Sequence, residues 1–312
     1  MTGCPAAGAY PGRMLRAGRT ALPAALLLGA GAAWPFVEPH LPVLRRVRVP
    51  VLAPDAEPIT VLHLSDLHLL PRQRRKARWV QALGALRPDL VVSTGDHLSS
   101  MDAVPLLAET FGAVTGGRVG VFVPGNNDYY SPVPPSPLSY LRGVRPRRTG
   151  PDLPWQDAAD ALVAVGWLDL THSRQALEVR GTSLVLTGTD DGHLRRDRYP
   201  RVAGAVPPGT VGIGITHTPQ RRLLQAFARD GHRLVLAGHT HGGQLRLPGV
   251  GAVVTNCDLP RSRARGLTRD GGTWLHVSAG LGSSPYLPVR VCCRPEATVL
   301  ELVPATPGGA VR

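Results

Sequence analysis

Two histidines separated by one residue, His239 and His241, lie in a glycine-rich turn directly after an apolar run. The run, residues 234–237, has the length and composition of a buried strand, and Gly238 ends it. Because a further glycine pair follows, the backbone can turn sharply and point both imidazoles into one site. Imidazole binds transition metals such as Zn, Fe and Ni, so this stretch predicts either a metal site or a surface turn that happens to contain two histidines.

The chain before this turn alternates between apolar runs and amphipathic segments. Strands are predicted at residues 59–64, 90–93, 119–123 and 211–215, and helices at 76–87 and 102–114. Such an alternation predicts a parallel sheet with right-handed crossovers, which binds ligands at the carboxyl ends of its strands. Later segments predict a hairpin from 177–179 to 184–186, and strands at 253–254 and 274–277.

Polar side chains of metal-ligand type follow the predicted strands. In chain order they are Asp66, His68, Asp96, Asn126 or Asn127, His217, His239 and His241. Taken singly, an aspartate after a strand is a turn or capping residue, and a histidine is a hydrogen-bonded polar group. A whole series of such residues at strand ends instead indicates a metal-binding site.

The order and spacing of these residues resemble those of the calcineurin-like metallophosphoesterases. That family's pattern is Asp-x-His, Gly-Asp, Gly-Asn-His-Asp/Glu, a single His and Gly-His-x-His. The matching segments here are Asp66-Leu67-His68, Gly95-Asp96, Gly125-Asn126-Asn127-Asp128, His217 and Gly238-His239-Thr240-His241. Within the family, the chain looks most similar to the bacterial branch with an N-terminal membrane segment.

The resemblance implies an α/β fold, a four-layer α/β/β/α sandwich, and two divalent or trivalent transition-metal ions such as Mn, Fe, Zn or Ni. By position, it implies that the first metal takes Asp66, His68, Asp96 and His241, and that the second takes Asp96, Asn126, His217 and His239. Asp96 then bridges the pair. Two metals about 3.5–4 Å apart lower the pKa of a bridging water and bind both oxygens of an in-line displacement at phosphorus.

One position departs from the family pattern, because Asn127 stands where the family has the histidine that assists the leaving group. An asparagine donates a hydrogen bond but is not a general acid near pH 7. The site then prefers good leaving groups, uses His97 or His193 as a substitute acid, or binds phosphate with little turnover. A local shift that makes Asn127 the metal ligand in place of Asn126 is a further alternative.

Two aspartates next to these motifs are predicted to orient metal ligands. Asp128 follows Asn127 directly, and Asp191 lies in the segment Asp190-Asp191-Gly192-His193. Carboxylates commonly hydrogen-bond the ligating groups and so fix their orientation. For Asp191 a simple turn remains the alternative.

The net charge of +13 comes almost entirely from arginine. A GC-rich genome explains this bias without any function, and attraction to phosphate groups, nucleic acid or an anionic membrane is the functional alternative. Aromatic residues form only 5% of the chain, which gives little support for base-stacking surfaces. We therefore expect a phosphate-ester substrate, with anionic membrane lipid as a further partner and nucleic acid disfavoured.

The N-terminus predicts the compartment and the domain limits. Arg13, Arg16 and Arg19 precede an uncharged run, residues 20–37, whose apolar centre is short for a membrane span of about 20 residues. A signal segment, a membrane anchor and a disordered leader all fit, and we expect a membrane-associated or exported protein, with the cytoplasm as the alternative. The predicted units are a leader and linker at 1–50, a phosphoesterase domain at 51–304 with a Pro- and Arg-rich insertion at 131–156, and a loose tail at 305–312.

Together these patterns favour a metal-dependent phosphoesterase that hydrolyses phosphomonoester, phosphodiester or pyrophosphate bonds, with lipid-linked substrates as one option. The rival interpretations are a nuclease, favoured by the net charge, and a phosphate-binding module with little turnover, favoured by Asn127. Turnover of an activated ester separates an enzyme from a binding module, and salt-dependent affinity for DNA identifies a nuclease.

Overall fold

The computed structural model describes residues 33–134 and 150–305 of the chain. The first sheet contains β1 (Val43–Leu52), β2 (Ile59–Leu64), β3 (Leu90–Ser93), β4 (Gly120–Phe122), β5 (Trp167–Asp169) and β14 (Glu296–Pro304). The second contains β6 (Ser173–Val179), β7 (Thr182–Gly188), β8 (Val211–Ile215), β9 (Leu234–Ala237), β12 (Gly266–Asp270) and β13 (Thr273–Val277). The short strands β10 (Arg246–Leu247) and β11 (Gly251–Ala252) form a separate pair. The α-helices with both ends inside the described residues are α1 (Arg74–Ala82), α2 (Val104–Thr115), α3 (Asn126–Tyr129), α4 (Trp155–Ala164) and α5 (Arg221–Arg229).

Parallel pairing dominates the centre of both sheets. The first sheet has the order β1-β14-β2-β3-β4-β5, and its run from β2 to β5 is parallel. The second has the order β12-β13-β9-β8-β7-β6, with β7, β8, β9 and β13 parallel. Helices α1 and α2 provide the crossovers from β2 to β3 and from β3 to β4, as the alternation of apolar runs predicts.

The two sheets pack face to face, and helices cover their outer faces. Along β2, Ile59 and Val61 contact residues of the second sheet in the inter-sheet core, whereas Leu62 and Leu64 pack against the helices on the other side. On the second sheet, Phe227 of α5 packs against Val235 of β9. Both faces of the central strands are therefore buried, which explains why their sequences are almost continuously apolar. The predicted four-layer α/β/β/α sandwich is confirmed.

Strand β1 begins inside the segment predicted to be the leader and linker, residues 1–50. It pairs in parallel with β14 at the edge of the first sheet, so the sheet begins before the domain limit expected at residue 50. An edge strand tolerates Pro50 because a proline there removes no hydrogen bond from a central ladder. The register shifts between Pro50 and Leu52, which is consistent with this local irregularity.

Other local differences concern turns and the insertion. The hairpin joins β6 to β7 through Arg180 and Gly181, which both have positive φ, as a two-residue turn requires. The strand predicted at 253–254 is instead β11, two residues earlier. Helix α4 begins at Trp155, inside the predicted insertion at 131–156; residues 135–149 of that insertion and 306–312 of the tail lie outside the described residues.

The membrane-associated or exported localisation expected from the N-terminus is contradicted. In residues 33–134 and 150–305, no helix is long and apolar enough to cross a bilayer. The resemblance to a branch with an N-terminal membrane segment loses its support on the same ground. Most of the uncharged run that motivated this expectation lies in residues 1–32, outside the described part of the chain.

Candidate metal centre

Loops from both sheets meet at the carboxyl ends of the parallel strands. The loop after β2 carries Asp66 and His68, and the loop after β9 carries His239 and His241. These two loops are joined directly, because both carboxylate oxygens of Asp66 accept the backbone N–H of His239 at 3.1 Å. The contact brings one end of the first sheet against the same end of the second.

The first group of candidate ligands contains Asp66, His68, Asp96 and His241, whose ligand atoms lie within 4.8 Å of one another. Nε2 of His68 lies 3.2 Å from Nε2 of His241 and 3.4 Å from Oδ2 of Asp96. Nε2 of His241 lies 3.5 Å from Oδ1 of Asp66. Two nitrogens held about 2.0–2.1 Å from one tetrahedral ion lie about 3.3–3.4 Å apart, so these separations fit a shared cation.

The second group lies on the other side of Asp96. Nε2 of His217 is 3.4 Å from Oδ1 of Asp96 and 3.2 Å from Nδ1 of His239. Gly125 packs against the same two residues, Asp96 and His217, so Asn126, which follows it, adjoins this group. Asp96 therefore presents Oδ2 to the first group and Oδ1 to the second.

Asn126 and Asn127 are in different environments. Asn127 is already bound to Asp96, since its backbone N–H donates to Oδ1 at 2.8 Å and its side-chain amide donates to Oδ2 at 2.7 Å. By contrast, Oδ1 of Asn126 is buried and has no hydrogen-bond partner within the described part of the chain. A buried polar atom without a partner costs about 1–3 kcal/mol, and a metal ion would satisfy it. This geometry favours Asn126 over Asn127 as a ligand.

The candidate histidine ligands have their tautomers set by backbone carbonyl groups. In three of them, one ring nitrogen donates to a carbonyl oxygen, so the other nitrogen faces the neighbouring ligands and is the atom that a metal would bind in the neutral ring. The pairs are Nδ1 of His241 with Gly282 at 3.1 Å, Nδ1 of His217 with Thr94 at 2.6 Å, and Nε2 of His239 with Asn256 at 3.2 Å. Carbonyl oxygens only accept, so the bonded nitrogen carries a proton and the opposite nitrogen of each ring points into the site.

Five of the candidate ligands have strained backbone conformations. Asp66, His68, Asp96, His239 and His241 all have positive φ, between 44° and 68°. For residues other than glycine, this conformation costs on the order of 1–3 kcal/mol each and persists only where the surrounding structure imposes it. The turns after β2, β3 and β9 are thus strained at the residues whose side chains form the site.

Burial and charge control the ionisation of the first group. Burial lowers the pKa of His68 to about 4, and burial with neighbouring His68 lowers the pKa of His241 well below its ordinary range. Both rings are therefore neutral at pH 7, which is the form that binds metal. Burial raises the pKa of Asp66 to about 6.

Asp96 and His217 form an ion pair. Burial is the largest single influence and opposes the charged form of each, but the mutual attraction of the pair and the other neighbouring polar groups together outweigh it. The pKa of Asp96 is therefore well below its ordinary value, and the pKa of His217 is well above its own. A metal bound at His217 would replace the shared proton, because a histidine ligand must be deprotonated.

Asp128 and His97 belong to the support of the site. The carboxylate of Asp128 accepts the backbone N–H of Gly125 at 2.9 Å and of His97 at 2.7 Å, so it ties the β4 loop to the β3 loop. His97 is fully buried, bonds Asp128 through Nδ1 and Ser93 through Nε2, and stacks on Trp155. Both of its ring nitrogens are thus engaged away from the candidate ligands.

His193 and Asp191 lie at the edge of the second group. The exposed ring of His193 has its centroid 4.9 Å from that of His239. Asp191 is buried and accepts the Thr218 hydroxyl at 2.7 Å and the Leu194 N–H at 2.7 Å. It therefore fixes the loop that directly follows His217.

Two residues outside the sequence motifs, Arg290 and Thr94, help to orient the candidate ligands. Arg290 is fully buried and donates from Nη2 to the Gly282 carbonyl at 2.6 Å, the same oxygen that His241 bonds. Thr94 provides the carbonyl that orients His217. Arg290 lies 49 residues after His241 and outside every motif, so no local pattern could identify it.

Gly238 is a point of close approach between the two loops. A Cβ at this position would lie 1.9 Å from Oγ of Ser65 and 2.5 Å from Oδ2 of Asp66. We expect Gly238→Ala to lower the free energy of unfolding by about 1–3 kcal/mol, as other overpacking substitutions do, and to displace Asp66. Urea unfolding measures the loss. Gly272→Ala is the matched control, because nothing lies near its Cβ, and an equal loss in both variants would contradict this account.

Comparison with known proteins agrees with this geometry. The family model for calcineurin-like phosphoesterases matches residues 59–243, more than half of the chain. The chain therefore belongs to the calcineurin-like phosphoesterase family, whose members are metal-dependent hydrolases of phosphoester bonds.

Individual relatives cover most of the chain. It is 28% identical over 278 residues to the phosphodiesterase YaeI of Escherichia coli (strain K12), covering 86% of this chain and 91% of that protein. It is 25% identical over 248 residues to the uncharacterized metallophosphoesterase YkuE of Bacillus subtilis (strain 168), covering 77% and 76% respectively. The crystal structure of TT1561 of Thermus thermophilus aligns with a TM-score of 0.41 at 12% identity, covering 72% of this chain and 91% of that one.

Proposed function

We propose that this chain is a dinuclear metal-dependent phosphodiesterase. The observation that supports two metal ions most directly is the position of Asp96, whose oxygens lie 3.4 Å from His68 on one side and 3.4 Å from His217 on the other. Support for a diester substrate comes from the relative named as a phosphodiesterase, which is matched over 91% of its length.

The donor set fits two transition-metal ions. Asp66, His68, Asp96 and His241 would hold the first, and Asp96, Asn126, His217 and His239 the second. Imidazole, carboxylate and amide ligands suit Mn, Fe, Zn and Ni. When bound, such a pair lowers the pKa of water and neutralises charge that develops on the phosphate.

The remaining residues orient this site and supply a proton. Asn127 holds both oxygens of Asp96, so it positions the shared carboxylate and has no acidic proton of its own to give. His193 takes the acid role in this proposal, because its ring is exposed beside His239, whereas His97 is enclosed in the core. Asp128 and Asp191 keep the ligand-bearing loops in place.

The test is turnover of bis(p-nitrophenyl) phosphate beside p-nitrophenyl phosphate on one protein sample. We expect the diester to be hydrolysed faster than the monoester. Chelation should reduce the rate about 100-fold or more, and Mn²⁺ should restore it, since metal activation supplies several kcal/mol. No metal-dependent turnover of either ester would refute the hydrolase, and a faster monoester would refute the assigned substrate class.

A further inference from the structure

A continuous chain of buried polar side chains leads from the second sheet to Asp66. Nδ1 of His276 lies 2.9 Å from Nδ1 of His63, and Nε2 of His63 lies 3.0 Å from the Thr94 hydroxyl. Thr94 donates to Oγ of Ser65 at 2.7 Å, and Ser65 donates to Oδ2 of Asp66 at 2.5 Å. Each of the five residues is at most 1% exposed. We call this series the polar chain.

The polar chain crosses the interface between the two sheets. His63 lies on β2 and His276 lies on β13; both adjoin the apolar inter-sheet core, and the buried Thr298 of β14 is paired with His63. A polar group buried there without a partner is destabilising by about 1–3 kcal/mol, so every member depends on its neighbours in the series. Neither His63 nor His276 is among the candidate ligands.

The Asp66 carboxylate, at one end of the polar chain, determines the direction of every hydrogen bond in it. A metal-binding carboxylate at Asp66 only accepts, so Ser65 donates its single proton to it and must accept from Thr94. Thr94 has then used its own proton and accepts from Nε2–H of His63. A neutral imidazole has one N–H, so Nδ1 of His63 accepts from Nδ1–H of His276.

Both imidazoles are neutral at pH 7, as this one-way order requires. Burial lowers the pKa of His63 well below its ordinary value and lowers that of His276 to about 4. Each ring therefore has one fixed tautomer, and each hydroxyl has one fixed rotamer. Packing alone would not fix a hydroxyl rotor, which turns to suit its partners.

Thr94 connects the polar chain to both ligand groups. Its hydroxyl acts on Asp66 through Ser65, and its backbone carbonyl accepts Nδ1–H of His217 at 2.6 Å. We propose that His63 and His276 are positioning residues of the metal centre, which act through Thr94 and Ser65 to hold Asp66 and His217 in metal-binding geometry. This inference rests on the proposed function, since it assumes that those residues bind metal.

The experiment measures Co²⁺ affinity by the d–d absorption of the bound ion in wild type, His63→Leu and His63→Gln. Removing an outer partner of a ligand typically weakens metal binding about 10–100-fold, and we expect that loss in His63→Leu. Glutamine can donate to Thr94 and accept from His276, so His63→Gln should recover most of the affinity.

His232→Leu is the matched control. His232 is also buried, and its ring bonds the hydroxyl of Thr187 at 2.8 Å. It precedes the first residue of β9, whereas His239 and His241 follow the last residue, so His232 lies at the opposite end of the strand. We expect the Co²⁺ affinity of His232→Leu to stay within about threefold of wild type, even if its melting temperature falls as much as that of His63→Leu. Equal losses of affinity in His63→Leu and His232→Leu would overturn the positioning role.

Thr94→Val and Thr94→Ser repeat the test with a smaller change in case His63→Leu does not fold. Valine removes the hydroxyl and should weaken Co²⁺ binding, whereas serine keeps it; unchanged affinity in Thr94→Val would overturn the proposal. Turnover of bis(p-nitrophenyl) phosphate is recorded on the same samples. Co²⁺ binding that responds to these variants in a protein without turnover would refute the hydrolase and support the positioning role, and turnover with unresponsive binding would do the reverse.

Discussion

Replacing Asp96 with asparagine is expected to remove both metal ions and to reduce the phosphodiesterase rate by about 10³-fold or more. Its two oxygens face the two ligand groups at 3.4 Å each, so one substitution disturbs both. The neutral amide also offers only one oxygen and no charge to the cations. Metal activation is worth several kcal/mol and each 1.36 kcal/mol is a factor of ten in rate, which sets this magnitude.

Metal analysis and turnover on the same Asp96→Asn sample measure both effects. Asp197→Asn is the control, because Asp197 is equally a buried, ion-paired aspartate but bonds Arg222 away from the ligand groups. The control should keep its metal content. If Asp96→Asn retains both ions at wild-type occupancy, Asp96 does not join the two groups.

His193→Ala is expected to slow hydrolysis of alkyl diesters about 10²–10⁴-fold while changing bis(p-nitrophenyl) phosphate little. A nitrophenolate leaves without a proton, whereas an alkoxide requires one, so only the alkyl substrate reveals the acid. The position of His193 beside His239, exposed to solvent, motivates this expectation.

The readout is kcat/KM for both substrate types in wild type, His193→Ala and His40→Ala. His40 is an exposed histidine near the start of the described chain, and its substitution should leave both rates unchanged. Equal effects of His193→Ala on the two substrates would exclude His193 as the acid. The remaining interpretation would then be a site limited to good leaving groups, as Asn127 suggests.

Much of the fold could be predicted from local patterns. The strands β2, β3 and β4 are short apolar runs, and the segments between them have apolar residues at helical periodicity. This alternation of strands and helices is sufficient to predict parallel pairing. Strand β1 could not be recognised, because its arginines and Pro50 resemble a linker until β14, about 250 residues later, provides a partner. Pairing over such a distance leaves no local signal.

The candidate ligands could be predicted because each of them lies within four residues of the end of a strand. Their exact support could not, because it comes from distant backbone: Thr94 orients His217, and Gly282 orients His241. The positive φ values of the ligands could not be assigned from residue type either, because aspartate and histidine are enriched in that conformation but mostly adopt negative φ. The choice between Asn126 and Asn127 needed the hydrogen bonds of Asp96.

The most direct test of the central claim is anomalous diffraction from crystals of the wild-type protein loaded with Mn²⁺. The account predicts two peaks about 3.5–4 Å apart, one on each side of the Asp96 carboxylate. His68 and His241 should contact the first and His217 and His239 the second. A single peak, or two peaks that do not share Asp96, would contradict it.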